Sequence, residues 1–138
     1  MKLNDVQIYE IAQNLECGLK CYIHIKTGEI ESIIDFDVNY GVDEDLWEDV
    51  INKINDNIDD YYEFVAPNSN DSFRLMESFI NEVADKQLQD KLLRALIKAK
   101  PFRNFKWEID NSGKYRQIWF DFKQNFYIEW VKKQLKAI

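Results

Sequence analysis

The chain has 138 residues, of which 46% are hydrophobic, 14% aromatic and 31% charged, with a formal net charge of −7. Apolar and aromatic side chains at this density exclude a disordered chain, and only four Gly and two Pro argue against a loop-rich one. The length fits a single domain, residues 1–138, that buries about two-thirds of its extended-chain surface on folding.

The first residues, Met1-Lys2-Leu3-Asn4-Asp5, lead into a polar amphipathic segment and not into an apolar signal core. Apolar runs stay far below the roughly 20 residues of a membrane span, so no membrane association is expected. Cys17 and Cys21 are the only cysteines and read as reduced thiols, which makes the cytoplasm the expected compartment. Charge is unevenly spread. Residues 1–66 hold 4 Lys+Arg and 16 Asp+Glu, whereas residues 67–138 hold 14 and 9. The two halves read either as an acidic and a more basic face or as ordinary solvated surface.

In chain order, residues 5–16 are expected as a helix, with Val6, Tyr9, Ala12 and Leu15 at helical spacing and Ile8 and Ile11 widening the stripe. Asn4 or Asp5 can cap its start, and Gly18 can end it in the left-handed conformation. Residues 19–26 alternate, with Leu19, Cys21, Ile23 and Ile25 on one face and Lys20, Tyr22, His24 and Lys26 on the other. A turn at Lys26-Thr27-Gly28-Glu29 and a returning strand over residues 30–36 complete a β-hairpin. Asp43-Glu44-Asp45 puts acid on the first turn of a helix whose stripe is Leu46, Trp47, Val50, Ile51, Ile54 and Ile58. Residues 61–66 suit a third strand.

The remainder reads as helical. After a capping loop at residues 67–71, Phe73, Met76, Phe79, Ile80 and Val83 define one helix. Leu88, Leu92, Ala95, Leu96 and Ala99 define the next. Pro101 stops that helix and can occupy the first position of another, with Phe102, Phe105, Trp107 and Ile109. Asn111-Ser112-Gly113 breaks the chain, and residues 115–136 form a long amphipathic helix with Trp119, Phe122, Phe126, Trp130 and Leu135 on its apolar side. The fold class is therefore α+β, a small antiparallel sheet with N-terminal helices followed by a helical C-terminal half.

No motif marks a reaction centre. His24 is the only histidine, and an odd separation from Cys21 on a strand sends the two side chains to opposite faces. Cys17, Cys21 and His24 lack a fourth zinc ligand with recognisable spacing. The acidic groups Asp35-Phe36-Asp37, Asp43-Glu44-Asp45 and residues 56–60 follow no calcium-loop spacing, and no Gly-rich phosphate loop occurs. Neither a metal nor another cofactor is expected.

The basic segment carries more. Lys91, Arg94 and Lys98 fall at i, i+3 and i+7, on one side of a helix, and Lys100, Arg103 and Lys106 follow. Such a stripe can neutralise phosphates beside rings that stack on bases. It equally suits a solvated face opposite Leu88, Leu92 and Leu96, just as Phe105, Trp119, Phe122, Phe126 and Trp130 suit a core.

Phe102-Arg103-Asn104-Phe105-Lys106, then Trp119-x-x-Phe122 and Glu129-Trp130-Val131, resemble the bacterial uncharacterised protein family 0158. Residues 73–80, Cys21-Tyr22-Ile23 and Thr27-Gly28-Glu29 resemble its upstream helix and N-terminal hairpin. The resemblance implies a small soluble bacterial protein and transfers no catalytic residue.

Two functions remain in view. One is a non-enzymatic binding module for a protein or nucleic-acid partner, using Arg94, Lys98, Arg103, Lys106 and Trp107, with self-association through C-terminal aromatics also open. The other is a small hydrolase or metal-dependent enzyme with a carboxylate site assembled from distant segments.

Overall fold

In the computed structural model, which describes residues 2–36 and 44–138, six helices and a three-stranded antiparallel sheet give an α+β architecture. The chain divides into two compact units, Met1–Ala66 with Tyr127–Ile138, and Pro67–Phe126. Among the expected acidic positions, Asp37 and Asp43 lie outside the described residues.

In the first unit, α1 (Asp5–Glu16) starts at Asn4, whose side chain accepts from the Gln7 amide while the Gln7 side chain accepts from the Asn4 amide, both bonds of a capping box. Gly18 ends the helix region with φ +81°, a conformation that a Cβ would strain. The buried stripe of α1 is Ile8, Ile11, Ala12 and Leu15, while Val6 and Tyr9 are exposed. The stripe thus sits one step round from the expected set, because the i, i+3, i+4, i+7 pattern starting at Ile8 is the one that meets the sheet.

The sheet runs β2 (Ile30–Ile34), β1 (Leu19–His24), β3 (Tyr61–Phe64), with β1 in the centre. Register pairs Cys21 with Ser32 on one side and Phe64 on the other, and His24 with Tyr61. Both faces are covered. Cys21, Ile23 and Phe64 pack with α1 and with Val131, and Tyr22, Ile33 and Tyr61 pack with Ile54 of α2 (Glu48–Asp56). Tyr22 is therefore buried, not on a polar face as simple alternation suggests.

β1 ends at His24, earlier than expected. The His24 Nδ1 accepts from the backbone amides of Lys26 and Thr27, each at 3.2 Å, and so closes the hairpin turn at Gly28. The segment before β3 is three pieces and not one helix: a 3-10 turn Glu44–Trp47, α2, and a 3-10 turn Ile58–Asp60. Three residues per turn shift the phase, which leaves Leu46 and Ile58 exposed while Ile54 is buried. Lys53 of α2 reaches Glu29 at 2.8 Å and Glu31 at 2.7 Å, tying α2 to the hairpin.

In the second unit, α3 (Ser69–Glu82) opens with another capping box, Asn68 with Asp71. α4 (Lys86–Ile97) is capped by Asp85, which accepts from the amides of Gln87 and Leu88. α5 (Pro101–Asp110) begins with Pro101 at its first position. Lys100, with φ +60°, is the one described non-Gly residue in left-handed backbone, and it turns the chain sharply between α4 and α5. Phe79 centres the core. Its ring meets Phe105, Trp119 and Phe122 edge to face, with centroids 6.4, 5.1 and 5.3 Å away.

The last helix, α6 (Tyr115–Ala137), contributes to both units. Trp119, Phe122 and Phe126 pack in the second, and Tyr127, Ile128, Trp130, Val131 and Leu135 in the first. No single apolar stripe runs its length, because each stretch serves a different core. No helix among the described residues is long and apolar enough to cross a membrane.

Candidate functional site

The expected basic residues meet on α4 and α5. Lys91, Arg94 and Lys98 line one open cleft of about 520 Å³ together with Asn104, Trp107 and Glu108, above Ala95. Helical spacing explains it, since residues at i, i+3 and i+7 share a side while Leu88, Leu92 and Leu96 point into the core. A second recess of about 290 Å³ lies along α5, lined by Arg103, Asn104, Lys106, Trp107 and Asp110. Trp107 and Asn104 belong to both. The five residues singled out in the sequence thus divide, with Arg94 and Lys98 in the larger cleft, Arg103 and Lys106 in the smaller, and Trp107 between.

Trp107 is 63% exposed, unlike Phe105 and Ile109 on the buried side of the same helix. Asn104 is the residue that sequence reading passed over. Its side-chain amide donates to the carbonyls of Ala99 at 2.9 Å and Ala95 at 3.4 Å, satisfying the end of α4 and fastening α5 to it. Glu108 was missed as well; its approach to α4 depends on the interhelical packing and leaves no local signature.

The cations differ in their surroundings. Lys106 pairs with Asp110 at 2.8 Å, and Arg116 reaches the same carboxylate at 3.4 Å. Lys106 first, and Arg116 after it, hold the Asp110 carboxyl below the ordinary range. Lys91, Arg94, Lys98 and Arg103 make no ion pair among the described residues, and Arg94 bonds only the Asp90 carbonyl.

Elsewhere the chemistry is structural. Cys21 is buried against α1, and burial pushes its thiol up to about 11, with the Asn14 amide at 3.8 Å opposing. Its register partner Phe64 and the His24 partner Tyr61 lie in different core clusters, which confirms that Cys21 and His24 face opposite sides. Among the described residues, no three His, Cys, Asp or Glu side chains come together to hold a metal ion. The C-terminal aromatics Phe122, Phe126 and Trp130 are half-buried in the two cores.

These assignments divide the motif of residues 102–106: Phe105 is core, Asn104 joins two helices, Lys106 is paired, and Phe102 and Arg103 stay exposed. The downstream Trp119 and Phe122 are core as well, and Trp130 donates its indole N–H to Val65. No curated protein and no solved structure matches the chain. A family model does match, over residues 6–137, and on that near-complete coverage the chain belongs to the uncharacterised protein family UPF0158.

Proposed function

We propose that this chain is a non-enzymatic binding module of the bacterial cytoplasm, whose basic and aromatic surface on α4 and α5 takes an anionic partner. The observation that carries the reading is the set Lys91, Arg94 and Lys98, three cations without an ion-pair partner around one cleft walled by an exposed indole. A charge without a counter-ion in its own fold gains more from an incoming anion than one that must first leave a carboxylate. The second unit holds 11 Lys+Arg and 8 Asp+Glu within a chain of net charge −7, so attraction is confined to this part of the surface. The free thiols Cys17 and Cys21 suit a reducing compartment.

The test is fluorescence anisotropy at low salt with two labelled polyanions, a single-stranded oligonucleotide and a poly-glutamate peptide. The wild-type chain is expected to bind at least one, and Lys91→Glu with Arg94→Glu to lose it while melting at the wild-type temperature. If neither probe binds, or the double variant keeps what the wild type holds, the reading fails.

A further inference from the structure

We infer that the partner of the α4–α5 cleft is single-stranded nucleic acid, with an amino-bearing base stacked on Trp107. The inference rests on the anion-binding reading above and adds the ligand class. Three features of the cleft carry it together: the indole, the cations and the carboxylate.

The first is Trp107. It is 63% exposed on a helix whose packing side is filled by Phe105 and Ile109, so its ring is not needed for the core. An aromatic face standing among cations is what strand-tracking proteins present to bases, whose π-faces stack on it whatever their sequence. Trp107 lines two recesses, one with Lys91, Arg94 and Lys98, the other with Arg103. A strand running over the indole meets positive charge in either recess.

The second is spacing. With about 1.5 Å rise per residue, Lys91 and Arg94 of α4 and Lys98 just past its end spread over roughly 10 Å. That span suits consecutive phosphates of a flexible strand better than a single point charge. A cleft of about 520 Å³ also accommodates a nucleotide-sized group.

The third is Glu108, which favours a neutral base over an acidic side chain beside the indole. It lines the same cleft as the three cations and makes no ion pair among the described residues. To an acidic side chain at this position the carboxylate is a like charge and a penalty, whereas a nucleic acid carries its charge on the backbone and presents a neutral base here. To a stacked base it is an acceptor for an exocyclic amino group, as carboxylates are for the cytosine amine. Thymine lacks such a group, so the geometry favours oligo-dC over oligo-dT.

The experiment is titration of the full chain with labelled oligo-dC, oligo-dT, a duplex and poly-glutamate, across a salt series. Oligo-dC is expected to bind tightest, and the duplex more weakly. Neutralisation by Lys91, Arg94, Lys98 and Arg103 gives a slope of log affinity against log salt near −3. Trp107→Ala is expected to cost about tenfold or more for oligo-dC, and Glu108→Gln to bring oligo-dC and oligo-dT together. Both side chains lie at the surface, and circular dichroism melts verify that the variants fold. Equal wild-type affinity for oligo-dC and oligo-dT overturns the inference, as does unchanged oligo-dC binding by Trp107→Ala. Binding of poly-glutamate without the oligonucleotides overturns it too, but leaves the anion-binding reading standing. Binding of no probe removes both.

Discussion

Asn104 on α5 donates its side-chain amide to the Ala99 carbonyl at 2.9 Å, beyond the last turn of α4. That bond holds Trp107 and Glu108 of one helix against the cations of the other. Replacing Asn104 with Ala leaves the carbonyl to water and is expected to cost about 1 kcal/mol of stability. Binding of an anionic ligand should weaken as well, although no charge has changed. Urea denaturation and anisotropy on the same preparation check both effects.

Arg103 and Lys106 are neighbours in sequence with unequal prospects. Lys106 already faces Asp110 at 2.8 Å, whereas Arg103 has no carboxylate partner among the described residues. Arg103→Ala is therefore expected to reduce anion binding more than Lys106→Ala, with both variants melting close to the wild type. Binding curves at several salt concentrations separate them, since only the lost Arg103 should flatten the salt dependence.

The two cysteines should react differently. Cys17 is exposed and Cys21 is buried, with its thiol raised from 9.0 to about 11 chiefly by burial. A thiol-reactive dye is expected to label one cysteine per folded chain and both after denaturation. Above the ordinary thiol value the unfolded chain ionises first, so stability falls as pH rises through this window. Tyr22, raised by burial and then by Glu63, and Tyr127, raised by burial and then by Glu16, act in the same direction. In Cys21→Ala the decline between pH 9 and 11 should become shallower, as followed by urea midpoints.

Phe79 is 1% exposed and touches three other aromatic rings. Phe79→Ala should cost about 3–5 kcal/mol. That is a large part of the roughly 5–15 kcal/mol by which such chains are stable. Loss of near-ultraviolet dichroism from the buried Trp119 would report the collapse of this core.

Local rules made much of this legible. The helix starts near Asn4 or Asp5 and after the loop at residues 67–71 were legible, because capping needs only neighbours three residues away; Asn4 and Asn68 are the residues that do it. The basic side of α4 follows from periodicity alone. Tyr22 did not, because alternation cannot tell that α2 covers the second face of the sheet. Asn104 and Glu108 escaped for a related reason. Their roles depend on how α5 lies along α4, and that angle is set by the left-handed turn at Lys100, which a lysine does not advertise. Trp107 stood at a helical position compatible with either core or surface, and only the filling of the packing side by Phe105 and Ile109 decides it.

The end of α6 completes the first unit. Trp130 donates to the Val65 carbonyl at 2.7 Å, Gln134 bonds both polar groups of the Val65 backbone, and Val131 is fully buried beside Cys21 and Ile23. During synthesis the sheet and α1 therefore emerge without the residue that closes their core. Residues 67–126 come between, and at about 5–20 residues per second their translation takes roughly 3–12 s. For that interval the nascent sheet shows an apolar face to whatever the ribosome surface offers, which makes the second unit the first part of this protein able to finish folding.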